Sequence, residues 1–198
     1  MISVASIVEG DGEVAALPVL LRRVCDWRTP GASVALLPPI RVRRDRFLHR
    51  DDEFRRHLLL AANKCGESGW ILVLLDADDD CPATLGADIA RRSRAVLPHR
   101  RVAVVLANRE YEAWFIASAT GLNGRRGFDL ATEPTVEPEQ PRNAKKWMAD
   151  RMSDRGYHET TDQPAFSALL DLALTHRRSR SFRKLCSEWS KHVDASAA

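Results

Sequence analysis

Two kinds of apolar pattern alternate along the first part of the chain. Residues 2–8 form a short β-branched run, and the acidic turn Glu9-Gly10-Asp11-Gly12-Glu13 opens a helical spacing that continues to about Val24. A strand, a turn and a helix are expected. Pro18 interrupts the helical spacing; it lacks the amide that the preceding turn needs and predicts a late start or a kink. Residues 33–37 read as a second strand stopped by Pro38-Pro39, and the arginine-rich stretch beyond leads into a helix over about 52–64. Residues 70–75 are continuously apolar, as in a strand buried on both faces, and Asp76-Ala77-Asp78-Asp79-Asp80 follows at its carboxyl end. A helix over about 82–96, a further buried strand over 101–107 and an aromatic-rich helix over 109–118 complete this part.

Strands alternating with helices predict an α/β fold: a mainly parallel, Rossmann-like sheet covered by helices on both faces. After residue 118 the pattern changes. Residues 121–141 are rich in Gly, Pro and polar positions and read as a long loop, and helices are expected near 144–152, 166–174 and 181–193. The organisation is therefore a core over 1–120 and a loop and helical extension over 121–198. The extension is expected to pack on the core, because it is too short for an independent one.

Composition narrows the class. Of 198 residues, 44% are hydrophobic and 29% charged, enough for a packed globular core. No apolar run approaches the roughly 20 residues that span a bilayer. Glu9, Asp11 and Glu13 break the order of a secretory signal, so a cytoplasmic location is the expectation. Cys25, Cys65, Cys81 and Cys186 lie far apart, without zinc-site or disulfide-framework spacing, and are expected to be buried thiols. Net charge is only +3 but unevenly placed: Arg41, Arg43, Arg44, Arg46 and Arg50 crowd one segment, and Arg177, Arg178, Arg180, Arg183 and Lys184 another. Such clusters are often solvated faces, yet they also suit a polyanion, and nucleic-acid contact is favoured here.

The reason is the acidic residues. Ligands of an open α/β sheet sit outside the carboxyl ends of its strands. Glu9 and Glu13 follow the first strand and Asp76 and Asp78 the strand over 70–75, with alternation pointing Asp76 and Asp78 to one side. Converging carboxylates repel one another unless a hard cation such as Mg²⁺, or Mn²⁺ in its place, takes their oxygens. Asp and Gly after strands are also ordinary turn and cap residues, which suffices for Asp11, Asp79 and Asp80. Glu9, Asp76 and Asp78 together exceed what capping needs and are the expected metal ligands.

The run Ile7-Val8-Glu9-Gly10 with Glu13, followed by Leu74-Leu75-Asp76-Ala77-Asp78, resembles the paired signature of the Toprim fold shared by topoisomerases, bacterial primases and OLD-family nucleases. The stretch from Ala107 through Asn108-Arg109-Glu110-Tyr111-Glu112 to Phe115, with Ser179-Arg180-Ser181-Phe182, resembles the bacterial Toprim-like family called domain of unknown function 4276. The resemblance implies that Glu9 serves acid or base chemistry and can join the metal site, that Asp76 and Asp78 hold magnesium, and that Glu112 matches a further acidic position of OLD-like nucleases. Lys145 or Lys146 could neutralise a phosphate. Trp114 and Phe115 are assigned to the core.

Phosphodiester hydrolysis is the chemistry such a site serves, so a metal-dependent nuclease acting on DNA or RNA is the first expectation. The chain is too short for a topoisomerase or a multidomain primase. A haloacid-dehalogenase-type phosphatase also places Asp-x-Asp after a buried strand, but Asp79-Asp80 fit it poorly and Glu9 and Glu13 stay unexplained. A receiver domain lacks identifiable partners. The alternative from another class is a non-catalytic Toprim-like subunit. Relatives resemble effectors of ATPases in bacterial defence, and this chain has no phosphate loop of its own, so an ATPase partner would be a separate chain. Self-association is compatible with the sequence.

Overall fold

The computed structural model describes residues 1–130, 136–153 and 156–194. β1 (Ile2–Val8) turns at Gly10 into α1 (Asp11–Arg28), and β2 (Val34–Leu36) and β3 (Ile40–Arg41) flank the Pro38-Pro39 break. α2 (Arg44–His49) and α3 (Asp51–Cys65) lead to β4 (Trp70–Asp76), α4 (Pro82–Val96) and β5 (Val102–Ala107). Short helices α5 (Ala113–Ala117), α6 (Ala119–Leu122) and α7 (Ala144–Ala149) follow, then α8 (Glu159–Leu169), α9 (Leu172–Arg178) and α10 (Arg180–Asp194).

The five strands form one parallel sheet ordered β2-β1-β4-β5, with β3 pairing the far end of β1 through Ile7 and Val8. The sheet is buried on both faces, as the unbroken apolar runs of β4 and β5 require. Strand alternation divides the core. Val4, Val8, Trp70, Leu72, Leu74 and Val105 pack with α1, α5, α8 and α10, whereas Ile7, Ile71, Val73, Leu75, Val104 and Leu106 pack with α2, α3 and α4.

Several details depart from expectation. The arginine-rich stretch is structured: Ile40 and Val42 are buried to form an edge strand, and Phe47 and Leu48 anchor α2. Pro18 lies inside a continuous α1, where it forfeits only the bond to the Val14 carbonyl while buried Leu17, Leu20 and Leu21 hold the helix on the sheet. The helix expected over 109–118 begins only at Ala113 and the one expected from 166 already at Glu159. Residues 131–135 of the expected loop lie outside the described residues. Cys25, Cys65 and Cys186 are buried, but Cys81 is exposed at the start of α4. Among the described residues, no helix is long and apolar enough to cross a membrane.

The carboxyl-terminal helices complete the core. Trp189 of α10 is fully buried, packs edge-to-face on Trp70 at 5.9 Å and donates its indole N–H to Thr29 Oγ1 at 3.0 Å. Trp189→Ala is expected to cost about 3–5 kcal/mol and to keep one cooperative transition, measured by urea unfolding.

Candidate active site

β1 and β4 are parallel neighbours, so their carboxyl ends lie side by side. Asp76 is the last residue of β4 and, by alternation, shares the face of Leu72 and Leu74, beneath α1 and α8. Its Oδ1 accepts the Tyr111 backbone N–H at 2.8 Å. Glu13, one turn into α1, accepts the Gly10 N–H on Oε2 at 2.6 Å and the Gln163 amide on Oε1 at 3.2 Å. The same Gln163 amide donates to Glu112 Oε1 at 2.7 Å, and the Tyr157 hydroxyl donates to that oxygen at 2.9 Å. Glu112 and Gln163 are fully buried, Glu13 and Asp76 nearly so, and Glu9 is half-buried. Glu9 Oε2, Glu112 Oε2 and Gln163 Oε1 are buried with no hydrogen-bond partner among the described residues.

Such a group resists ionisation. Burial, then Glu112, Glu13 and Glu9, push the Asp76 carboxyl well above the usual carboxylate range, against Lys145. Burial raises Glu112 to about 7, although Lys145, Gln163 and Tyr157 favour its charged form. Glu9 is raised by burial and by Asp78. For Lys145, burial opposes the charge, but Glu112 and Asp76 hold its ammonium above the ordinary lysine range. Its backbone N–H donates to Glu110 at 2.8 Å, and its Nζ lies 3.5 Å from Glu159, which sets it at the mouth of the cluster. Lys146 instead pairs with Asp150 at 2.8 Å on the surface.

Asp78 stands apart from Asp76. Alternation ends at Ala77, and Asp78 adopts the left-handed region (φ 50°), leaving its carboxylate half-exposed, 3.5 Å from Arg44 Nε. Arg44 braces this turn: Nε donates to the Asp76 carbonyl at 3.1 Å, and Nη2 to the Ala77 carbonyl at 3.3 Å and to Asp80 at 2.6 Å. Asp79 is held by Arg109 at 2.8 Å and Arg142 at 2.5 Å. The structure thus brings Asp76, Glu13 and Glu112 together and places Asp78 by Glu9 at the rim.

Residues 8–188 match the family model described as "Domain of unknown function (DUF4276)". The chain belongs to this family. No curated protein and no solved structure matches it. The match takes in every carboxylate of the cluster, together with Lys145, Tyr157 and Gln163.

Among the described residues of this DUF4276 protein, no group of three or more His, Cys, Asp and Glu side chains is arranged to hold a metal ion. The donor chemistry of Glu9, Asp76 and Asp78 is of the kind a hard cation takes: all are carboxylates, Glu9 Oε2 is buried without a partner among the described residues, and acidic neighbours oppose the charged form of Asp76. A cleft of about 640 Å³ beside the cluster is lined by Gly10, Gly12 and Tyr157 and by the charge pairs Arg41–Asp11, Lys145–Glu159 and Lys146–Asp150.

The basic segment divides by role. Arg44 is engaged with the acidic turn through the Asp76 and Ala77 carbonyls and Asp80. Arg41 pairs with Asp11 at 3.2 Å, while Arg43 and Arg46 are exposed without ion pairs among the described residues.

Sequence reasoning missed Gln163 and the role of Tyr157. Gln163 reaches Glu13 from 150 positions away, and no spacing or motif announces such a contact. Gly12 is its one local trace, since a Cβ there would overlap Gln163 Oε1. Gly12→Ala is therefore expected to displace Gln163 and lower stability by about 1–3 kcal/mol, or roughly 2–4 °C in melting temperature per kcal/mol for a chain of this size. Thermal unfolding beside Ala15→Gly, on the exposed face of α1, checks this against a plain propensity effect.

Proposed function

We propose that this DUF4276 protein is a metal-dependent nuclease that hydrolyses phosphodiesters in nucleic acid, with Mg²⁺ or Mn²⁺ at the carboxyl ends of β1 and β4. The observation that carries the reading is the group of buried and half-buried carboxylates at the ends of β1 and β4, with unpartnered oxygens on Glu9 and Glu112 and the Lys145 ammonium beside them. The resemblance of the Glu9-Gly10 and Asp76-Ala77-Asp78 elements to Toprim nucleases supports it; fold analogy alone establishes no activity.

In this reading Asp76 and Glu9 would hold the ion, with Asp78 beside Glu9 at the rim able to join them only by leaving Arg44; the ion when bound would supply Lewis-acid polarisation of a phosphate and a more acidic water. Glu9, whose carboxyl is raised by burial and by Asp78, is placed to take or give a proton at the site. Lys145 presents a fixed positive charge to a phosphoryl oxygen. Glu112, Gln163 and Glu13 form the supporting layer, and Arg43 and Arg46 offer phosphate contacts.

The test is cleavage of labelled DNA and RNA with Mg²⁺, Mn²⁺ or EDTA, beside the folded Asp76→Ala, Asp78→Ala double variant. Cleavage by the wild type alone, and only with metal, is expected. Equal cleavage by both proteins, or cleavage in EDTA, contradicts the reading.

A further inference from the structure

A cavity of about 900 Å³ lies on the opposite side of β5 from the carboxylates' strand. β5 is the open edge of the sheet, with β4 its only partner among the described residues. The Ile71 N–H donates to the Arg101 carbonyl and the Ala77 N–H to the Ala107 carbonyl, so odd-numbered residues turn their backbone toward β4. Val102, Val104 and Leu106 consequently turn their N–H and C=O groups to the edge. All three line the cavity. α4 forms one wall through Pro82, Ala83, Ala87 and Ala90, and α10 the other. The result is a trench along a strand of about 20 Å, with an unpaired ladder at its floor and small apolar side chains on one wall.

The rim is basic. Arg94, Arg180 and Lys191 are exposed and carry no ion pair among the described residues. Lys184 adds a cation, although it pairs with Glu188 at 2.6 Å. An edge bordered by like charges repels the same edge of a second copy. It attracts a segment of opposite sign. Nucleic acid also carries negative charge, but it cannot pair a strand ladder, and no Phe, Tyr or Trp lines the trench as a stacking platform.

We propose that the β5 edge is a docking site for an extended acidic segment of a partner protein, which adds a strand to the sheet between α4 and α10. The site shares no residue with the carboxylate cluster, so it stands or falls independently of the nuclease reading.

The experiment is selection of a displayed random-peptide library on the full chain. The selected peptides are then titrated by fluorescence anisotropy against the wild type, Ala87→Trp, the double variant Arg180→Glu, Lys191→Glu, and Val104→Pro. Ala87 is exposed on α4, so its replacement fills the trench without touching the ladder. Val104→Pro removes an edge-facing amide and leaves those facing β4. Selected peptides rich in Asp and Glu, with alternating apolar positions and roughly tenfold or greater loss of affinity in Ala87→Trp and in the charge-reversal variant, are expected. Val104→Pro, where it folds, should show the same loss. Overturning results are no acidic enrichment, equal binding to wild type and Ala87→Trp, or displacement of the peptides by a single-stranded oligonucleotide that binds Ala87→Trp as well as wild type.

Discussion

Asp76→Asn is expected to reduce metal-dependent cleavage by about 10³-fold or more and, at the same time, to raise the melting temperature of the metal-free protein. The two effects have one origin. Asp76 is nearly buried, and its carboxyl is pushed far up by burial and by Glu112, Glu13 and Glu9. In the unfolded chain it ionises in the ordinary range, so above that range folding must either desolvate a charge or take up a proton, and both lower stability. Asparagine keeps the oxygen that accepts the Tyr111 N–H and removes the charge. Without the carboxylate the site loses a hard-cation ligand, and several kcal/mol of phosphate polarisation correspond to the stated rate loss. Differential scanning fluorimetry and a cleavage assay on the same preparations check both. A fall in both stability and activity would mean that Asp76 serves the fold alone.

The second prediction concerns pH. Glu112 titrates at about 7 in the folded protein against 4.5 for an ordinary glutamate. Between these values the folded state holds a proton that the unfolded chain has released, so stability falls as pH rises through the window and returns as pH drops. Asp76 acts in the same direction. Metal-free protein is expected to lose on the order of 1–3 kcal/mol of unfolding free energy between about pH 5 and pH 8. Glu112→Gln preserves acceptance from Gln163 and Tyr157 and should flatten much of this slope. Metal opposes the trend, because it binds ionised carboxylates: the stabilisation by Mn²⁺ should grow with pH. Urea unfolding across this range, with and without Mn²⁺, measures all three. A wild-type slope that Glu112→Gln leaves unchanged would remove Glu112 from the account.

The parallel sheet was legible because it depends on local signals, the unbroken apolar runs of β4 and β5, and the acidic turns directly after β1 and β4 marked where the candidate carboxylates lie. Glu9, Glu13, Asp76, Glu112 and Lys145 could be named in advance, and the structure brings Glu13, Asp76 and Glu112 together around Lys145. The pairing of Asp76 with Asp78 by alternation was not fulfilled, because alternation holds only while φ stays extended and Asp78 turns left-handed to meet Arg44. Arg44 looked like one more cation in a polyanion-binding segment; its bonds to β4 depend on a tertiary approach across 32 positions. Gln163 was hidden for the same reason.

Binding of Mn²⁺ to the metal-free protein at about pH 8, followed by electron paramagnetic resonance and compared between wild type and folded Asp76→Asn, tests the central claim most directly. Saturable binding by the wild type that Asp76→Asn loses is the predicted result. Equal binding by both proteins, or none by the wild type, would contradict a metal centre at the ends of β1 and β4.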